Sequence, residues 1–250
     1  MIPTESPEGS GVDTASDVTK TNIERFSTDD EVSHYEQLIE TGLFEAERTL
    51  IDRYYTPGES VLDVGCGVGR TTVKLDELGF EVLGVDASRP QIERARELFP
   101  AIEFRVDNAL DLDVADRSYD HVLFSYNGID CIHPESSRLA ALEEFRRVLK
   151  PNGSLAFSSR NAWYRFPALV LDRAFLSRFY LSAENVRRFF HPYKVQYDDA
   201  GQPFEMYLST PRRQCRQLRQ CGFNPLEIVG KRDGVARLFE IMPYYIAAPR

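Results

Sequence analysis

Three carboxylates surround the glycine-rich run of this chain, and their types and spacing define what it can bind. Asp63 stands just ahead of Gly65-Cys-Gly-Val-Gly69. A glycine turn of this kind, between a strand and a helix, lets a ligand lie against bare backbone. The spacing is Gly-x-Gly-x-Gly. It is neither the dinucleotide fingerprint Gly-x-Gly-x-x-Gly nor a P-loop, since no lysine–serine pair follows. A carboxylate at position 63 repels a pyrophosphate and suits an ammonium group. Asp86 closes a second strand signal, where a carboxylate accepts hydrogen bonds from two ribose hydroxyls. Asp107, with Asn108 beside it, closes a third and forms an acid–amide pair able to hold an adenine amino group.

The elements that must position these groups alternate regularly. Ser60–Val64, Phe80–Val85, Ile102–Val106, Tyr119–Phe124 and Ser154–Ser158 read as strands. Helices are predicted from the glycine turn to about Leu78, from Ser88 to about Phe99, and from about Glu135 to Leu149. A further helix is predicted over about 34–55, closed by Pro57-Gly58. A last helix near 211–221 precedes two closing strands, 225–229 and 244–248. This order predicts an α/β fold, a Rossmann-like, mostly parallel seven-stranded sheet with helices on both faces. The alternation stops between residues 161 and 208, which read as a helical and aromatic insertion over the sheet's carboxyl edge. Residues 1–22 lack apolar periodicity and read as a mobile acidic segment, leaving 23–250 as one domain.

Together, Leu62-Asp-Val-Gly-Cys-Gly-Val-Gly69, Gly84-Val-Asp-Ala-Ser88, Val106-Asp-Asn-Ala109 and Arg147-Val-Leu-Lys-Pro-Asn-Gly153 resemble the motifs of class I S-adenosylmethionine-dependent methyltransferases. The resemblance covers about residues 45–160 and the closing strands. It implies S-adenosylmethionine as cofactor. Asp63 is then expected at the methionine ammonium, directly or through water, and Gly65, Gly67 and Gly69 beneath the cofactor. Asp86 is expected at the ribose, Ala87 and Ile92 flanking the adenine, and Asp107, Asn108 and Ala109 along its edge. Ser125, Tyr126 and Asn127 are expected near the methionine part and the transferred methyl.

Composition narrows the remaining classes. The hydrophobic fraction is 42% and the charged fraction 28%, ordinary for a globular protein. No apolar run approaches membrane-spanning length, and the polar, acidic start does not read as a secretory signal. Cys66, Cys131, Cys215 and Cys221 form no Cys-x-x-Cys pair, so no metal site is expected, and reduced thiols fit a cytoplasmic location. The net charge of −9 lies in the N-terminal part: residues 1–47 carry −10 and the remainder +1.

Acceptor chemistry is expected beyond the fourth strand. His133, in Asn127-Gly-Ile-Asp-Cys-Ile-His-Pro134, is the first candidate for a general base, with a helix-capping role as its alternative; His34, His191 and Asp130 are the others. Residues 160–195 contain nine aromatics in 36 positions and carry +5. Trp163, Tyr164, Phe179 and Tyr180 are expected to bind the acceptor, although most such rings serve as core of a helical cap. The basic residues of the segment would bind an acceptor carboxylate or phosphate, or form a solvated face.

The predicted activity is methyl transfer to a small-molecule acceptor. Two alternatives stand beside it, an RNA or tRNA methyltransferase and a non-catalytic cofactor-binding regulator. Arg212, Arg216 and Arg219 share a helical face that suits nucleic acid. The negative net charge and the lack of an Asn/Asp-Pro-Pro-Tyr/Phe signature after the fourth strand disfavour it.

Overall fold

A computed structural model describes residues 14–188, 190–197 and 203–250. Seven strands form one sheet: β1 (Ser60–Val64), β2 (Glu81–Asp86), β3 (Glu103–Val106), β4 (Tyr119–Phe124), β5 (Leu149–Ser158), β8 (Phe223–Val229) and β9 (Tyr244–Pro249). Their order is β3-β2-β1-β4-β5-β9-β8. β1 to β5 are mutually parallel, and β9 is antiparallel to both β5 and β8. The strand order reverses between β1 and β4. In open α/β sheets the crevice outside the carboxyl ends at such a point is where ligands bind.

Alternate residues of the central strands enter different cores. Leu62, Val64 and Val122 face α6 (Glu135–Val148), through Ala141, Leu142 and Phe145, and α10 (Pro211–Gln220), through Leu218. Val61 and Leu123 face α3 (Glu45–Tyr54), through Leu50 and Ile51, and α4 (Arg70–Glu77), through Leu75. Each fully buried Leu, Ile or Phe contributes about 1.5–3 kcal/mol. α5 (Arg89–Leu98) places Ile92 and Ala95 against Phe104 and Cys66 in a smaller cluster.

The long helix predicted over about 34–55 is two helices. α2 (Asp29–Leu38) ends in a short 3-10 turn, and Gly42, at φ 61°, redirects the chain into α3. α1 (Thr14–Phe26) covers part of the segment predicted to be mobile. Its Asn22 is buried, and its Nδ2 donates to the Cys131 carbonyl at 2.8 Å. Residues 1–13 lie outside the described residues.

The insertion after β5 holds α7 (Arg165–Leu171), α8 (Arg173–Phe175), a π turn over Leu176–Tyr180, and α9 (Ala183–Arg187). It ends in an unpredicted antiparallel hairpin, β6 (Tyr193–Tyr197) with β7 (Pro203–Tyr207). The hairpin leans on the main domain: the Tyr193 hydroxyl donates to the Ile132 carbonyl at 2.9 Å, and the Gln217 amide donates to the Tyr207 hydroxyl at 2.8 Å.

Candidate functional site

The turn after β1 sets the floor of the site. Gly65, Gly67 and Gly69 all have positive φ. A Cβ on Gly65 would lie 2.4 Å from the Phe124 ring, so glycine is required there by contact as well as by conformation. Asp86 ties the turn to β2. Its Oδ2 accepts the Gly67 N–H at 2.9 Å and its Oδ1 accepts the Ser88 N–H at 2.8 Å. Burial pushes the Asp86 carboxyl up from its ordinary range, and the two N–H donors partly offset that shift.

Asp63 lies beneath this floor rather than on it. It is fully buried, and its Oδ2 accepts the Thr71 and Thr72 hydroxyls at 2.5 and 2.7 Å. Its Oδ1 is buried without a partner. Burial raises its pKa to about 6, against the pull of the two hydroxyls. Asp107 organises its own loop: Oδ1 accepts the Asn108 N–H at 2.7 Å and Oδ2 the Asp113 N–H at 3.0 Å.

Beyond β4, two successive residues without a glycine's freedom adopt left-handed backbone, Tyr126 at φ 52° and Asn127 at φ 62°. Such conformations cost free energy and are held by their surroundings. The Asn127 N–H donates to the Ser158 hydroxyl at 2.8 Å, and the Tyr126 ring stacks on Phe44 with centroids 5.8 Å apart. The Ser125 hydroxyl points into a buried network. There the Glu47 carboxylate takes both Arg70 Nη donors, at 2.6 and 2.8 Å, together with the Tyr244 hydroxyl at 2.6 Å and the Ser125 hydroxyl. Burial works to raise the Glu47 pKa, but these donors hold it below its ordinary value.

These pieces open onto a cleft of about 1310 Å³ along the carboxyl ends of β1 to β4. Gly65, Gly67, Asp86, Ala87, Asp107, Asn108, Ala109, Ser125, Tyr126 and Asn127 all line it. Asp63, Gly69 and Ile92 do not: Asp63 is sealed beneath by Thr71 and Thr72, Gly69 packs toward Phe104, and Ile92 is fully buried in the α5 cluster.

The acceptor end differs from expectation. Trp163, Tyr164, Phe179 and Tyr180 do not line the cleft. They pack on one another and on neighbours instead: Phe175 stacks on Phe179 at 5.4 Å, Phe179 meets Tyr180 at 5.0 Å, and Trp163 stacks on Phe239 at 5.7 Å. The cleft is walled instead by α1 and α2 (Phe26, His34, Tyr35) and by the hairpin (Gln196, Phe204, Met206). The Arg25 guanidinium, 3.9 Å from the Phe204 ring centroid, joins the two walls.

His133 is also turned away. Its ring lies 4.0 Å from that of Tyr193, its Nε2 is 3.5 Å from a Glu205 carboxylate oxygen, and its Nδ1 is buried without a partner. Burial lowers its pKa, with Glu205 pulling the other way. Its main chain is pinned to Thr19, whose hydroxyl donates to the His133 carbonyl at 2.6 Å. Of the alternative bases, His34 lines the cleft, whereas His191 bonds the Tyr193 backbone and Asp130 is buried against Arg138. Arg70 and Glu47 were missed by sequence reasoning. Their pairing spans 23 residues and carries no local signal, apart from an arginine opening the helix directly after Gly69.

Residues 61–153 match the family model described as methyltransferase domain. Residues 61–153 thus carry a methyltransferase domain, on the fold of class I S-adenosylmethionine-dependent methyltransferases. An O-methyltransferase of Aspergillus sclerotiorum is 29% identical over 185 residues, covering 71% of this chain and 60% of the relative. The 2-methyl-6-phytyl-1,4-hydroquinone methyltransferase of Synechocystis is 38% identical over 109 residues, covering 42% and 33%. The chain thus spans less than two thirds of the length of those relatives. A 1,6-didemethyltoxoflavin-N1-methyltransferase of Burkholderia thailandensis, solved with that compound and S-adenosylhomocysteine, has the same fold at a TM-score of 0.62 and 18% identity, covering 99% of this chain and 93% of that one.

The site fits S-adenosylmethionine, the cofactor that the resemblance of its motifs implies. Bare glycine backbone lines the cleft at Gly65 and Gly67, the Asp86 carboxylate stands beside it, and Asp63 Oδ1 is a buried acceptor still lacking a donor. No helix among the described residues is long and apolar enough to cross a membrane.

Proposed function

We propose that the chain moves a methyl group from S-adenosylmethionine to a small-molecule acceptor by in-line displacement. One observation carries the reading: a single cleft joins the glycine turn and Asp86 to a compartment walled by aromatic and thioether side chains, including Tyr35, Tyr126, Phe204 and Met242. The names of the relatives, an O-methyltransferase and a hydroquinone methyltransferase, support an acceptor of that kind.

Bound S-adenosylmethionine supplies an electrophilic methyl on a positively charged sulfur, so the chemistry resides in the cofactor and the protein supplies position. In this reading Asp86 accepts the ribose hydroxyls, and Asp107, Asn108 and Ala109 border the adenine. Asp63 draws the methionine ammonium through its unpartnered Oδ1, by way of water across the turn. Tyr126 and Asn127, fixed in their strained backbone, shape the passage between the two compartments. Orientation of an acceptor against the methyl contributes about 7–11 kcal/mol toward the barrier. An acceptor that arrives protonated needs a base, and His34 on α2 is the histidine placed to serve it.

The test is calorimetry with S-adenosylhomocysteine, followed by transfer of labelled methyl to a fractionated metabolite extract. Binding with label transfer supports the reading. Binding without transfer to any fraction favours a regulator, and no binding removes the reading.

A further inference from the structure

Among the described residues, three arginines line the cleft: Arg25, Arg70 and Arg160. Two have carboxylate partners, Arg25 with Glu31 at 2.8 Å and Arg70 with Glu47 at 2.6 Å. Arg160 has none among the described residues within ion-pair distance. Its main chain is held on both sides, since its N–H donates to Asp130 Oδ2 at 2.6 Å and its carbonyl accepts the Ser209 N–H at 3.3 Å. The guanidinium is left over: its Nε is buried without a hydrogen-bond partner among the described residues.

Asp130 forms no ion pair with it, although its charge acts on the guanidinium. That carboxylate is already engaged by the Arg138 guanidinium at 3.0 Å, the Ser159 hydroxyl at 2.7 Å and the Arg160 backbone N–H. Arg138 is fully buried; it also donates to the Ile129 carbonyl at 2.7 Å and Gln214 Oε1 at 2.9 Å, and its own Nε has no partner among the described residues. Asp130 and Arg138 therefore cancel, and the charge of Arg160 stands in excess. A guanidinium cannot shed its proton to relieve that, and an unpaired buried charge is costly. The cofactor deepens the imbalance, because a sulfonium and an ammonium outweigh its one carboxylate.

We propose that Arg160 is the anion-binding residue for the acceptor: the small molecule carries a carboxylate or similar oxyanion that accepts the unpaired guanidinium donors while its nucleophilic atom faces the methyl. This rests on the methyltransferase reading of the same cleft and names its substrate class. Arginine suits the task because its planar fork meets an oxyanion with two parallel hydrogen bonds. The negative charge so bound restores neutrality beside the sulfonium. Pairing through a second group, rather than through the attacking atom, keeps the nucleophile's lone pair available.

The test uses the full chain and ligand-observed NMR, with and without S-adenosylhomocysteine. Benzoate, salicylate and 4-hydroxyphenylacetate are compared with their neutral carboxamides. The carboxylates are expected to bind at least about tenfold more tightly than the amides. Arg160→Met should remove that preference, lowering carboxylate affinity roughly 10- to 100-fold, and Arg160→Lys should restore part of it. Calorimetric affinity for S-adenosylhomocysteine should stay within about twofold of wild type in both variants, which also reports that they fold. Equal binding of both series to the wild type, or carboxylate binding unchanged in Arg160→Met, overturns the proposal. Wild-type protein that ignores S-adenosylhomocysteine yet keeps the carboxylate preference overturns the methyltransferase reading alone.

Discussion

The Asp86 carboxylate accepts the Gly67 backbone N–H at 2.9 Å, fastening the end of β2 to the glycine turn after β1. In the proposed reading the side chain that shapes the turn also accepts the ribose hydroxyls. Asp86→Ala should weaken S-adenosylhomocysteine binding about 100-fold, the loss expected when charge-assisted hydrogen bonds disappear. Calorimetry measures it directly, and unchanged affinity would remove Asp86 from the site.

Gly65 tolerates no side chain. Its φ of 62° and the Phe124 ring 2.4 Å from a built Cβ act together. Gly65→Ala should cost about 1–3 kcal/mol from overpacking, with the positive-φ strain added to that, and should displace the floor of the cleft. Urea denaturation reports the first effect and cofactor affinity the second. A variant with wild-type values for both would show that Phe124 yields freely.

The Glu47–Arg70 pair is a buried support beneath Ser125 at the end of β4. Glu47→Ala leaves the Arg70 guanidinium buried without its carboxylate, which costs about 3–5 kcal/mol. Glu47→Gln, which keeps the volume and some acceptor capacity, should cost less. Denaturation midpoints of the two variants check the order.

The acceptor wall should follow the structure and not the aromatic content of the insertion. Phe204→Ala is expected to raise the acceptor KM severalfold while the cofactor Kd stays within about twofold. Phe179→Ala, in a packed ring cluster outside the cleft, should lower stability by about 3–5 kcal/mol and leave KM near wild type. The opposite pattern would restore the 161–180 region as the acceptor wall.

Asp63 gives a pH signature. Its pKa in the folded protein is about 6, above the ordinary 3.8, so folding favours its protonated form. That contribution to stability is complete below about pH 3.8 and is lost as pH rises through about 6. Asp130 is raised to about 6 by burial and behaves alike. A cation drawn to Asp63 favours the ionised form, so cofactor binding between about pH 4 and 6 should release protons. Calorimetry in buffers of different ionisation enthalpy counts them, and Asp63→Asn should reduce the count. An identical release in Asp63→Asn would assign it to another group, such as Asp86.

The sheet, its strand ends and the glycine turn were legible in the chain itself, because each rests on local patterns. Apolar strand runs, the left-handed glycines Gly65, Gly67 and Gly69 of the turn, and Ser88 capping α5 are read within a few residues of one another. Asp86, Asp107, Asn108 and Tyr126 reach the cleft for the same reason: the end of a parallel strand is fixed by its own sequence. What faces the acceptor was decided by packing between distant segments. Asn22 meets Cys131 across 109 positions, Ser125 meets Tyr244 across 119, and Arg25 lies over Phe204. No periodicity encodes such pairings. The aromatic richness of 160–195 says that many rings will be buried, but which surface buries them depends on the whole fold: here Phe175, Phe179 and Tyr180 pack on one another, Trp163 stacks on Phe239, and Phe190 stays exposed. Asp63 shows the same division. Its place beside the turn is local, but its burial under Thr71 and Thr72, which leaves one oxygen waiting for a donor, is a property of the assembled molecule.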